Sequence, residues 1–314
     1  MPRGDSREPD PVRQARETPE LRHVLERACL ERGLSPAGAR LIHRYGNAVY
    51  LVPAEQAVAR IVHGSARRAR LSHSVAGWLV AQRGIAATAP LAGAPPVEIG
   101  QSTVVGFWTY YPQPATRDPP TSAHLARVLR QLHAIEAVPF ELDPWEPLAS
   151  LSAALSDPVA AATLAPSELD WLRRRVEEVR AEVVGLTSPL GHGVIHGDAW
   201  AGNLLWHTGV GRDAVVLGDW DGVSLGPREV DLIPSWHAAI RYGRGEQWAS
   251  AFAGVYGYDL SAWEGFGTLL AMRDLVQLTG PLRRARDSPQ FKAALRQRLN
   301  GIRNGDLQAT WRAL

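Results

Sequence analysis

The sequence predicts an α+β chain in which a small antiparallel β lobe precedes a larger, mainly helical one. Three observations carry this. Residues 39–62 form short alternating apolar runs, broken at Tyr45-Gly46-Asn47 and again at Pro53-Ala54-Glu55-Gln56, which is the pattern of a β-meander. A further strand-like run, Ser102 to Tyr111, stops at Pro112. Beyond it the spacing turns helical, as in the stripe Leu125, Val128, Leu129 and Leu132.

Length and composition fit a globular enzyme of one large or two medium domains: 314 residues, 45% of them hydrophobic. With 34 basic and 32 acidic side chains, charge gives no reason to expect nucleic-acid or membrane binding. A single cysteine, Cys29, cannot form an internal disulfide. No apolar run reaches the about 18 residues that span a bilayer. The N-terminus is Arg, Asp, Glu and Pro rather than a secretory core. A cytoplasmic protein is expected. Lys292 is the only lysine, so cationic roles fall to arginine.

Taken in order, residues 1–17 are too polar and proline-rich to build a core, and a disordered N-terminus is expected there. Thr18-Pro19-Glu20 reads as N-cap, first-turn proline and first-turn acid of a helix that Gly33 ends. Strands follow, and Gly46-Asn47 suits a tight turn between the first two. Ala57 to Val62 is the third strand and carries Arg60. A helix over about 67–83 carries Leu71, Val75, Trp78 and Leu79. The proline at 112 marks a boundary between a first lobe, 18–111, and a second, 112–314. Helices are expected over 121–135, 165–185, 232–242, 245–256, 262–278 and 289–300. His133, closing the first of these, reads as a cap or surface residue.

The chemistry concentrates in one stretch. Val194-Ile195-His196-Gly197-Asp198 and Val215-Val216-Leu217-Gly218-Asp219 each end a β-type run on an acid, and Asn203 lies five positions after the first acid. That spacing suits phosphoryl transfer: Asp198 accepts the proton of an attacking hydroxyl, while the Asn203 amide oxygen and Asp219 hold Mg²⁺ against nucleotide phosphates. Taken singly, each acid reads equally well as a turn cap, and His196 as a packed residue that orders its loop. A transition-metal site built on His196, Asp198, Asp219 and Asp221 lacks a second histidine at ligand spacing.

The ordered set of His196-Gly197-Asp198, Asn203, Gly218-Asp219-Trp220-Asp221, Gly226-Pro227 and Glu229-Val230-Asp231-Leu232 resembles the aminoglycoside phosphotransferase and choline kinase family. The resemblance runs from about Leu41 to the C-terminus, and its specific part is 194–232. It implies a two-lobed, protein-kinase-like fold in which 18–111 binds ATP or GTP between the lobes and 112–314 carries the catalytic and acceptor-binding groups. It places the phosphate-covering turn at Gly46 and Asn47, and the adenine-facing hinge at Trp108 to Tyr111, with Trp108 and Tyr110 flanking the base. Core packing explains these aromatics equally well. Where the family has a phosphate-binding lysine this chain has Arg60, whose guanidinium can clamp a diphosphate. The glutamate that usually partners that cation is missing, since no acid lies between Gln56 and Val97; Ser72 or His73 falls near its position. Asp231, after Pro227, is placed to accept backbone N–H groups of the catalytic loop.

The implied activity is transfer of the γ-phosphoryl group to a hydroxyl of a small molecule, an antibiotic among the options. Kinases of choline, homoserine or sugars are the alternative, as is a catalytically weak nucleotide-binding module. Asp231 lies only twelve positions after Asp219, too close for the activation segment of a protein kinase. From Leu275 to Leu314 eight cations face two acids, a charge that repels polycations and favours a neutral or weakly charged acceptor.

Overall fold

The computed structural model describes residues 17–44, 47–312 and 314. Apart from Glu17, the segment expected to be disordered lies outside them, as does Gly46. The chain divides into two compact units after Pro112.

The first unit opens with α1 (Pro19–Arg32), then β1 (Arg40–Arg44), β2 (Ala48–Val52), β3 (Ala57–His63), α2 (Ala66–Arg83), β4 (Val97–Ile99) and β5 (Thr103–Thr109). The Thr18 side chain accepts from Leu21 N–H, and Gly33 at φ +66° ends α1 in the left-handed conformation. The strands form one antiparallel sheet in the order β1-β2-β3-β5-β4. Leu25, Ala28 and Cys29 of α1 join Tyr50, Ala59, Ile61, Val105 and Phe107 in a single core on one sheet face. Because side chains alternate along a strand, Arg60 and Trp108 lie on the opposite face. Arg60 pairs with Gly106, and Trp108 is two positions further along β5.

Helix α2 buries Ser72, Val75, Ala76 and Leu79, with Leu71 and Trp78 only half-buried. Its His73 donates from Nε2 to Phe107 O at 3.2 Å and meets Trp108 edge-on, ring centroids 5.1 Å apart. Arg70 of α2 pairs with Glu98 of β4. That short strand had no signal of its own in the sequence.

The second unit contains α3 (Ser122–His133), α4 (Ala149–Ser156), α5 (Pro158–Ala161), α6 (Pro166–Val184), β6 (His192–Ile195), β7 (Leu204–Trp206), β8 (Val215–Leu217), β9 (Ser224–Pro227), α7 (Glu229–Arg241), α8 (Glu246–Tyr256), α9 (Phe266–Val276), α10 (Thr279–Arg284) and α11 (Pro289–Arg303). The strands make two nested ribbons, β6 with β9 and β7 with β8. Leu125, Leu129 and Leu132 of α3 are fully buried, each contributing about 1.5–3 kcal/mol. No helix among the described residues is long and apolar enough to cross a membrane.

A buried ionic cluster ties α7 to α9. Arg241 grips Asp274 through a two-pronged contact, Nε to Oδ1 at 2.9 Å and Nη2 to Oδ2 at 2.6 Å, and His237 Nε2 donates to Oδ1 at 3.1 Å. Burial by itself raises the Asp274 carboxyl, but the bonds from His237 and Arg241 outweigh it and hold the group below its usual value. Burial also pushes the His237 imidazole down to about 4, from an ordinary 6.5. The neutral ring is therefore the folded form. As pH falls from 6.5 to 4 the unfolded chain takes up a proton that the folded chain refuses, so this group's contribution is complete above 6.5 and lost below 4. The expected loss is about 3 kcal/mol. Urea unfolding at pH 7.5 and 4.5 should show it, and His237→Gln should remove most of the difference. An unchanged pH dependence in the variant would discard this assignment.

Candidate active site

Each ribbon hands one acid to a turn. After β6 comes His196-Gly197-Asp198, then a 3-10 turn at Ala201–Asn203 leading into β7. After β8 comes Gly218-Asp219, then a 3-10 turn at Trp220–Gly222 leading into β9. The two turns lie backbone against backbone. A Cβ on Gly197, whose φ is +82°, would stand 2.3 Å from Gly222 O, and one on Gly222 would stand 2.7 Å from His196 O. Only glycine permits that approach.

His196 joins the same two turns through its ring. It is fully buried; Nε2 donates to Gly218 O at 2.8 Å, while Nδ1 accepts from Asp198 N–H at 3.4 Å. Both ring nitrogens are thereby engaged by protein. Trp220 packs beside it, ring centroids 4.8 Å apart.

Asp231 supports the loop from below. Its Oδ2 accepts from His196 N–H at 2.7 Å and from His133 Nε2 at 3.1 Å, and its Oδ1 accepts from Gly197 N–H at 2.8 Å. It lies in the first turn of α7, which begins at Glu229 rather than at 232. Glu229, also fully buried, accepts from Leu190 N–H at 2.6 Å and from the Ser188 hydroxyl. His133 is a correction: it is not a surface residue but is 7% exposed, its Nδ1 accepting from the Tyr256 hydroxyl at 2.8 Å. The spacing Leu125, Leu129, His133 continues the buried stripe of α3, and that was the available signal.

The groups with open faces are Asp198, Asn203 and Asp219. The Asp198 side chain is 51% exposed and its Oδ1 accepts from Arg273 Nη1 at 2.8 Å. Asn203 donates from Nδ2 to Asp198 O at 3.0 Å, which leaves Oδ1 as its acceptor. Asp219 is exposed and holds a left-handed backbone at φ +62°. Such a conformation is uncommon outside glycine and is concentrated at functional turns. Trp200, two positions after Asp198, is 49% exposed. Asp221 is half-buried in its own 3-10 turn.

The other expected binding residues belong to the first unit: Arg60 on β3, Trp108 on β5, Tyr110 just past its end, and Asn47 just before β2. All four are half-buried. The Tyr110 N–H donates to Gln56 O at 2.9 Å. For Mg²⁺ the donor chemistry fits, since Asn203 Oδ1 and the Asp219 carboxylate are the hard oxygen ligands the ion takes. Among the described residues no group of three or more His, Cys, Asp and Glu is placed to hold a metal.

The sequence profile of the phosphotransferase enzyme family matches residues 38–266. The chain belongs to that family. Its fold is protein-kinase-like, and the phosphotransferase aligns over most of its length with several solved structures. A microcompartment-associated aminopropanol kinase superposes with a TM-score of 0.65 at 16% identity, covering 89% of this chain and 95% of the other. A choline/ethanolamine kinase family protein from Mesorhizobium loti gives 0.58 at 19% identity, covering 89% and 94%. A spectinomycin phosphotransferase, solved with ADP and spectinomycin, gives 0.55 at 17% identity, covering 94% of each chain. At these identities the likeness speaks for the fold. No curated protein matches the sequence.

Proposed function

We propose that the chain transfers the γ-phosphoryl group of ATP or GTP to a hydroxyl of a small molecule. The first unit serves the nucleotide, and the second serves catalysis and the acceptor. The observation that carries this is the locking of the two acidic turns at Gly197 and Gly222, which fixes Asp198 and Asp219 in one rigid piece with exposed carboxylates. Asp198 takes the hydroxyl proton as the acceptor oxygen attacks phosphorus and the nucleoside diphosphate leaves. Asn203 and Asp219 hold Mg²⁺, which when bound neutralises phosphate charge. His196 keeps the loop in shape. Arg60 contacts the phosphates, Asn47 with Gly46 covers them, and Trp108 and Tyr110 meet the base. Use of ATP or GTP supports a cytoplasmic site of action.

Purified protein should release ADP or GDP when offered hydroxylated metabolites and antibiotics, and a panel of both decides between a resistance enzyme and a kinase of primary metabolism. The second reading, a nucleotide-binding module without turnover, draws on α2, which buries Ser72 and carries no acid. Nucleotide binding without diphosphate release across the panel would favour it.

Arg60→Ala should weaken ATP binding by about 1.5–3 kcal/mol, the contribution of a charge-assisted contact. By calorimetry this is roughly a 10- to 150-fold rise in Kd. Equal affinity in both proteins would return Arg60 to the role of a strand residue.

A further inference from the structure

Arg273 on α9 has no counterpart among the residues expected from sequence, yet it touches the carboxylate proposed as the base. Its guanidinium is 11% exposed against 51% for Asp198, so it approaches from the protein side and leaves the outer face of the carboxylate open. The contact uses Nη1 alone, and the Nε–H is buried with no acceptor. A guanidinium offers five donors in a planar fork suited to carboxylate and phosphate. The backbone beneath it is fixed, because the next residue, Asp274, is held by Arg241 and His237. Arg273 and Arg241 both disfavour protonation of His237, with Asp274 opposing them, and Arg298 and Arg273 both favour the ionised form of Tyr242, again against Asp274.

The reaction changes the partner of this arginine. The acceptor O–H bond breaks, its proton goes to Asp198, the new O–P bond forms, and the bond from phosphorus to the leaving diphosphate breaks with its electron pair. Asp198 then carries the proton, and the transferred phosphoryl group brings negative charge onto the acceptor oxygen.

We infer that Arg273 selects the acceptor: a hydroxylated small molecule bearing an anionic oxygen group, carboxylate or phosphate, within guanidinium reach of that hydroxyl, with polyamines disfavoured. The inference deepens the phosphotransfer reading and rests on Asp198 acting as base. One six-carbon skeleton supplies the probes: gluconate, sorbitol 6-phosphate, neutral sorbitol and cationic glucamine. With a magnesium-bound non-hydrolysable ATP analogue present, gluconate or sorbitol 6-phosphate should raise the Tm of the native protein above the effect of sorbitol, and glucamine should not. Arg273→Gln should lose this anion-specific rise while still binding the analogue, and Arg273→Lys should keep part of it. Whichever of the two anions acts tells carboxylate from phosphate. The same rise in Arg273→Gln, a larger rise with glucamine, or no anion-specific rise in the native protein overturns the inference. Diphosphate release is measured in parallel. For the preferred anion, KM should rise about 10- to 100-fold in Arg273→Gln. An anion-specific rise without release in any arm overturns the phosphotransfer reading and leaves the Arg273 site standing. Release that favours glucamine does the reverse.

Discussion

Asp198→Asn is expected to lower turnover by about 10²- to 10⁴-fold, the usual contribution of a positioned general base, with nucleotide affinity changed by no more than a few fold. The separation follows from position. The carboxylate is half exposed and its one described side-chain contact is Arg273, so the amide removes proton acceptance without disturbing the ribbons beneath. Steady-state rates together with calorimetry on the same preparation check both halves. Near-normal turnover would remove Asp198 from the mechanism, and lost nucleotide binding would show that its role is to shape the phosphate site.

Asp231→Ala should be the most damaging change to stability. The carboxylate is fully buried and accepts three hydrogen bonds, from His196 N–H, Gly197 N–H and His133 Nε2. Truncation strands three buried donors at once, and breaking such a network costs about 3–5 kcal/mol. Because two of the donors are backbone groups of the turn that presents Asp198, activity should fall even at temperatures where the variant remains folded. Urea unfolding measures the first effect and diphosphate release below the melting range the second. A loss under about 1 kcal/mol would show that the Gly197–Gly222 contact holds the turn unaided.

The α+β order and the acidic stretch were legible because both are local. Period-two apolar alternation placed β2, β3 and β5, and the 3.6 period placed α3 and α6. The spacing of Asp198, Asn203 and Asp219 needed no knowledge of distant contacts. What escaped was set by tertiary partners. His133 sits at a helix end, where spacing alone permits either face, and Asp231 decides between them. Arg273 lies in an ordinary amphipathic helix with no motif around it, and only the packing of α9 brings it to a residue 75 positions earlier. On α2, Ser72 is buried while Trp78 stays half out, an order that hydrophobicity alone inverts.

The lone lysine has a practical meaning for anyone surveying nucleotide-using proteins by chemical labelling. Lys292 is exposed on α11, and β3 carries an arginine, Arg60, and no lysine. Reagents that deliver an acyl group from a nucleotide need a neighbouring ε-amine, and a guanidinium, protonated at any working pH, does not react with them. This chain would pass through such a survey unmarked, however tightly it held the nucleotide. Amine-reactive dyes and resins would find one side-chain attachment point, on α11, besides the α-amino group.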